Sequence, residues 1–131
     1  MTAPPSGWPP PTEARLAGRR VELAPLAAEV ADRYFARHPE DLARYGADVA
    51  RAWEMHDTQH LVNWAIGDVE GFIALDERVT WLADVLAARA FPLDHLAGNL
   101  EIAADVVEAR VQGGAPVAER LRAAAALVRA R

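Results

Sequence analysis

Several residue types are missing from this chain, or nearly so. It has no cysteine, which excludes disulfide bonds, thiolate metal sites, iron–sulfur clusters and cysteine nucleophiles. It has no lysine either, so every fixed positive charge belongs to an arginine, a usage typical of a GC-rich genome. Its single serine, Ser6, lies among prolines rather than at a turn into a helix, which argues against a serine hydrolase triad.

Positive charge and long hydrophobic runs are also scarce. The net charge is −5, whereas non-specific nucleic-acid binding needs a basic face. We therefore expect no nucleic-acid partner. No apolar stretch approaches the roughly 20 residues that cross a bilayer. The N-terminus lacks a basic region followed by an apolar run, which is the pattern of a signal peptide. We therefore expect a cytoplasmic protein that does not interact with membranes.

The remaining pattern is helical. No stretch alternates with period two, and no Asn-Gly or Asp-Gly hairpin turn is present. We predict an all-α domain over residues 21–131, an up-and-down bundle of four or five helices. Its predicted helical segments are 22–37, a segment restarting at Pro39 with a weak break at Gly46 before 47–66, then 69–90, 93–112 and 116–130.

A proline-rich tail is predicted to precede this domain. Five prolines in the first eleven residues favour an extended, solvated chain, so we predict disorder over residues 1–20. Trp8 stands among these prolines. It is either incidental or the anchor of a short docking motif.

The stretch Ala47–Ile66 carries the densest set of chemically capable side chains. At about 100° per residue, Trp53, His56, His60 and Trp64 share one side of a helix, with Asp57 at its edge. Apolar residues cover much of the remaining circumference, a pattern typical of a helix with neighbours on several sides. We therefore predict that this helix is central and that both histidines point into the interior or into a cleft.

A metal site is one interpretation of this pattern. His56 and His60 are spaced i, i+4, so they could chelate one ion, with Asp57 as a third ligand. The glutamate that directly follows the first histidine in zinc proteases is absent, because Asp57 stands there. Metal sites use three or four protein ligands, so the alternative is a pair of histidines hydrogen-bonded in or near the core.

A cofactor site is a second interpretation. Trp53, His56, His60 and Trp64 would wall a pocket for a flat cofactor such as a haem, a corrin or a bilin. The alternative is that these aromatic side chains are ordinary core residues. A di-iron site is disfavoured, because Asp57-x-x-His60 has no second acid-x-x-histidine pair.

Several short motifs also occur in a familiar order. They include Arg37-His38-Pro39-Glu40, Leu42-Ala43-Arg44-Tyr45-Gly46 and Trp81-Leu82. In this order the chain resembles the small helical domains that accompany regulatory and cobalamin-binding modules in GC-rich bacteria. The resemblance spans residues 21–111, but Phe91 stands where a glycine is expected before the proline, and no cobalamin-binding Asp-x-His-x-x-Gly pattern exists. It implies a regulatory domain without chemistry of its own.

The function predicted first is therefore a non-enzymatic sensory, regulatory or partner-binding module, with a small cofactor or metal held by the His/Trp side of the central helix. A small metal- or cofactor-dependent enzyme is the first alternative. The second is a structural module that forms a homodimer through residues off the main apolar stripes: Trp81, Val85, Ile102 and Val106.

Overall fold

The computed structural model describes residues 9–131, and Trp8 with the start of the proline-rich tail lies outside them. This part of the chain is mostly helical, as predicted, with six helices and one two-stranded sheet. The elements are β1 (Glu13–Leu16), β2 (Arg19–Glu22), α1 (Leu23–Arg37), α2 (Pro39–Tyr45), α3 (Ala47–Glu70), α4 (Leu75–Ala88), α5 (Leu93–Arg110) and α6 (Ala115–Arg129).

The sheet is an antiparallel hairpin in a segment that was predicted to be disordered. Its register pairs Glu13 with Glu22 at the open end, and the two-residue turn places Ala17 and Gly18 at φ values of 51° and 78°. Two positive φ values in succession are typical of the tight turns that suit twisted strands. The prediction of disorder is wrong for residues 13–20. A hairpin with an Ala-Gly turn and short, charged strands is hard to recognise from sequence, because it has neither a typical hairpin-turn dipeptide nor a clear alternation of apolar residues.

The number of helices also differs from the four or five predicted. Pro39 ends α1 because the residue before a proline is pushed out of the helical region, and His38 has φ −127° and ψ 63°. Gly46, with φ 86°, separates α2 from α3, so the weak break becomes a full interruption. The short α2 is therefore a separate helix that contacts α3.

The central position of α3 is confirmed, since it contacts all five other helices and β1. It does not end at Gly67 as predicted. A Cβ atom at Gly67 would lie 2.5 Å from Ile73 Cδ1, so this glycine permits close packing of Ile73 rather than ending the helix. The helix ends at Gly71, which takes the left-handed conformation at φ 91°.

The helix α4 is shorter than predicted at both ends. Phe72, which falls within the predicted helix 69–90, lies before α4 and is 75% exposed. Asp68, near the end of α3, caps the first turn of α4. It does so from a distance, because its Oδ2 accepts a hydrogen bond of 2.8 Å from the Leu75 backbone N–H.

The core is completed by α5 and α6, which pack against each other along much of their lengths. Ile102 and Val106 are 3% and 0% exposed within this core, so their assignment to a free dimer face is wrong. Their stripe packs inside the bundle because α5 is enclosed on several sides. In the described part of the chain, no helix combines the length and apolarity needed to cross a bilayer.

Candidate functional site

A cleft between α3 and α4 brings the predicted cofactor residues together. Trp53, His56, His60 and Trp64 form its α3 wall, and the cleft has a volume of about 450 Å³. Trp64 is buried, while the other three side chains are half-buried. The opposite wall comes from α4 and the residue that follows it: Arg78, Trp81, Leu82, Val85, Leu86 and Arg89.

The two walls run antiparallel, with an aromatic–cation pair at each end. The Arg89 guanidinium carbon lies 5.5 Å from the Trp53 ring centroid, and that of Arg78 lies 5.8 Å from the Trp64 ring centroid. Trp53 and Trp64 are separated by three helical turns, which is about 16 Å along α3. The cleft is thus elongated, with indole walls and a positive charge at both ends.

The histidines stand between these ends. The His56 and His60 ring centroids are 4.7 Å apart, and His56 Nδ1 lies 3.1 Å from Asp57 Oδ1. Burial lowers the pKa of His60, and the neighbouring His56 lowers it further against the opposing effect of Asp57. The neutral imidazole, which keeps a free nitrogen lone pair, is therefore favoured at His60.

The metal site predicted in this cleft has no geometric support. Among residues 9–131, the structure gathers one group of three or more histidine, aspartate or glutamate side chains whose ligand atoms all lie within 4.8 Å. That group is His38, Glu40 and His95, none of which lines the cleft. His56, Asp57 and His60 are not gathered into such a group.

A second set of polar residues, buried between α1, α2, α3 and α5, was not predicted from the sequence. We call it the polar cluster: Tyr34, Asp41, Glu54, Thr58, His95 and Asn99. Asp41 is 3% exposed, and its Oδ2 accepts a hydrogen bond from the Tyr34 hydroxyl and lies 3.0 Å from His95 Nδ1. Burial and the Asp41 hydrogen bond both raise the pKa of Tyr34, which keeps its hydroxyl a donor.

Glu54 is the most unusual member of the polar cluster. Burial, followed by the negative charge of Asp57, raises the pKa of Glu54 well above its ordinary value. The Thr58 hydroxyl donates to Glu54 Oε2 at 3.3 Å, and the Asn99 amide lies 2.7 Å from the same oxygen. A protonated Glu54 can donate to the Asn99 carbonyl oxygen, while the Asn99 NH₂ donates to Thr58 Oγ1 at 3.1 Å. The three side chains then close a ring of neutral hydrogen bonds.

A small cavity joins the two regions. It has a volume of about 50 Å³ and is lined by members of the polar cluster together with Trp53, Asp57 and Leu86 of the cleft. A space of this size holds one or two water molecules rather than an organic ligand. An organic ligand therefore fits the cleft and not the polar cluster.

The sequence did carry a signal for the polar cluster. Glu54 and Thr58 are spaced i, i+4 and lie away from the histidine side of α3. An amphipathic pattern does not distinguish a buried polar pair from a solvated one, so this spacing alone does not identify the two residues as buried. Their partners Tyr34, Asp41 and Asn99 come from three other helices, so only the fold brings them together.

Comparison with known proteins gives no relative. No family model matches this chain, and no match was found among curated proteins or solved structures. The resemblance to helical domains of regulatory and cobalamin-binding proteins therefore stays an expectation.

Proposed function

We propose that this chain is a non-enzymatic sensory or regulatory module that binds a flat, conjugated, carboxylate-bearing ligand in the α3–α4 cleft. Among the cofactors considered from the sequence, haem and bilins carry propionate groups, whereas the corrin of cobalamin carries mainly amides. The cleft is therefore better suited to a haem or a bilin than to a corrin.

The arrangement of three tryptophans is the observation that carries this proposal. Trp53, Trp64 and Trp81 all line one cleft of about 450 Å³, a volume within the usual range of small-molecule sites. Indole faces provide large apolar contact with a planar ring system. Trp81 is 59% exposed, so its indole ring is accessible to a ligand in the cleft.

The charges at the ends of the cleft support the choice of an acidic ligand. Arg78 and Arg89 are exposed residues whose guanidinium groups lie over the Trp64 and Trp53 rings. A guanidinium can stack on an aromatic ring and bind a carboxylate with two parallel hydrogen bonds. A planar ligand between the tryptophans would place the carboxylates on its acidic edge within reach of the arginine at one end of the cleft.

The histidines support a ligand that contains a metal, or one that accepts hydrogen bonds. A neutral imidazole at His60 is the form that would ligate a haem iron. The Asp57 carboxylate beside His56 Nδ1 would orient that ring in the way that outer carboxylates orient metal-binding histidines. No serine, threonine, cysteine or lysine lines the cleft within the described residues, which favours binding over nucleophilic catalysis.

The proposal is tested by titrating the purified chain with haemin, biliverdin and cobinamide. Three of the four tryptophans line the cleft, so ligand entry should quench intrinsic fluorescence strongly. A Trp8→Phe background removes the one tryptophan outside the described residues. We expect saturable 1:1 binding of haemin or biliverdin, and weaker binding of cobinamide.

Two variants assign the binding to the cleft. The Arg78→Gln, Arg89→Gln pair should weaken binding of the acidic ligands at least tenfold while leaving cobinamide binding unchanged. His60→Ala should shift the absorption bands of bound haemin. Phe72→Ala, at an exposed site that does not line the cleft, is the matched control and should change neither. Absence of saturable binding by all three ligands, or equal loss in the Phe72 control, would refute the proposal.

A further inference from the structure

We propose that His38, Glu40 and His95 form a binding site for a divalent transition-metal ion of the Zn²⁺ class, separate from the α3–α4 cleft. This inference does not depend on the proposed function, since none of these three side chains lines the cleft. The site lies where the α1–α2 junction meets the start of α5.

Local backbone constraints place the three ligands. Pro39 forces His38 out of the helical conformation and leaves it at the corner between α1 and α2. Glu40 follows in the first turn of α2, so its carboxylate reaches back to His38. His95 lies in the first turn of α5, where its backbone N–H donates to the Pro92 carbonyl oxygen at 3.0 Å.

The distances between ligand atoms suit one metal ion. Glu40 Oε1 lies 3.1 Å from His38 Nδ1 and 3.8 Å from His95 Nε2. Bond lengths of about 2.1 Å in a tetrahedral site put its ligand atoms about 3.4 Å apart, which falls between these two distances. The two imidazole rings are stacked, with centroids 3.9 Å apart, so binding of a common ion requires the His38 ring to turn while Asp41 holds the His95 ring.

The surroundings of His95 provide independent support. Its Nδ1 lies 3.0 Å from the buried Asp41 Oδ2, which also accepts the Tyr34 hydroxyl hydrogen bond. A proton held on Nδ1 by Asp41 leaves the lone pair on Nε2, which lies 3.8 Å from Glu40 Oε1. This carboxylate–histidine arrangement is the one that orients and strengthens histidine ligands in zinc proteins.

Exposure and donor type identify the class of ion. Both histidine side chains are 16% exposed and the Glu40 side chain is 59% exposed, so an ion can enter from solvent and keep water as its fourth ligand. Two imidazoles and one carboxylate suit Zn²⁺ and its neighbours rather than Ca²⁺ or Mg²⁺, which prefer all-oxygen ligands.

The test is calorimetric titration of the chelator-treated full chain with Zn²⁺, alongside Co²⁺ absorption spectra that report coordination geometry. We expect one ion per chain, Co²⁺ bands of tetrahedral intensity, and a rise in the unfolding temperature. His38→Ala, Glu40→Gln and His95→Ala should each lower Zn²⁺ affinity at least tenfold. Asp41→Asn should lower it by about 10- to 100-fold, since it alters the group that orients His95 and leaves the three ligands themselves in place.

The matched control is the His56→Ala, His60→Ala pair, which removes as many histidines from the cleft. It should retain full Zn²⁺ affinity. His38→Ala and Glu40→Gln change partly exposed groups, so they keep the test valid if a buried variant fails to fold. Loss of binding in the cleft pair with retention in His38→Ala would overturn the proposal, as would the absence of 1:1 binding by the unaltered chain at millimolar Zn²⁺.

Discussion

The α3–α4 cleft and the polar cluster lie on two sides of the same helix, yet their polar groups are held in opposite ways. In the polar cluster, Asp41, Glu54 and Asn99 are nearly inaccessible and their hydrogen bonds are made with each other. In the cleft, Trp53 and His60 remain half-buried and face open volume. Internally satisfied groups stabilise one fold, whereas polar and aromatic groups facing open volume are available to a ligand. We therefore expect mutations at Glu54, Thr58 and Asn99 of the polar cluster to affect stability, and mutations in the cleft to affect binding of its ligand.

The largest effect is expected from Asn99→Leu in the polar cluster. The leucine has a similar volume but leaves Glu54 and Thr58 buried without their amide partner. We expect the free energy of unfolding to fall by about 2 to 4 kcal/mol, measured by urea denaturation at pH 7. Asn63→Leu, at a half-buried position on α3, is the control and should cost less than about 1 kcal/mol. Equal losses in the two variants would remove the distinction between the regions.

In the cleft, the His56→Ala, His60→Ala pair should change ligand affinity more than it changes stability. Because both rings are partly exposed, we expect the free energy of unfolding to change by less than about 1 kcal/mol. Haemin affinity should fall at least tenfold, which corresponds to about 1.4 kcal/mol of binding free energy. A large stability loss measured by urea denaturation would instead identify these histidines as core residues.

The Glu54→Gln variant tests burial in the polar cluster through the pH dependence of its stability. The pKa of Glu54 is raised in the folded state, so the folded chain holds this proton more tightly than the unfolded chain, in which the pKa is about 4.3. Stability from this group is present below that value and is lost as pH rises towards the folded pKa. We therefore expect Glu54→Gln to be more stable than the unaltered chain at pH 8, with the difference vanishing near pH 4.

Exposed Glu119→Gln provides the control for that experiment, because it removes the same charge without any burial. It should show no such divergence in urea denaturation between pH 4 and pH 8. A Glu54→Gln variant that is less stable than the unaltered chain at pH 8 would show that Glu54 acts as a paired carboxylate.

The smallest effect on stability is expected from His60 in the cleft, and its dependence on pH has the opposite sign to that of Glu54. Its pKa is lowered in the folded state, so the unfolded chain binds the proton first as pH falls below about 6.5. Stability is thus lost on acidification towards pH 5, although the charges of His56, Asp57, Arg78 and Arg89 also face this ring. His60→Gln should reduce that loss while matching the unaltered chain at pH 8. An unchanged slope in thermal unfolding experiments would contradict burial of a neutral His60.

Much of the fold could be predicted because helical periodicity is a local property. The apolar spacing of α1, α5 and α6 and the proline and glycine breaks located these helices to within a few residues. Gly67 was interpreted wrongly, because a glycine that ends a helix and one that admits a neighbouring side chain look the same in sequence. The hairpin was missed for a similar reason, since the contact of Ala17 N–H with Glu70 Oε1 at 2.7 Å is remote along the chain.

The sequence by itself determined that Trp53, His56, His60 and Trp64 share one side of a central helix, because a regular helix repeats every 3.6 residues. It could not determine what faces them. Only the tertiary structure placed Arg78 and Arg89 opposite Trp64 and Trp53. It also brought the Asn99 amide into contact with the buried Glu54 carboxyl group, and His95 to within 3.8 Å of Glu40. These partners lie tens of residues apart, and their meeting depends on how the helices pack. Local periodicity therefore decides which side chains act together on one element, and packing decides whether they face solvent, a ligand or each other.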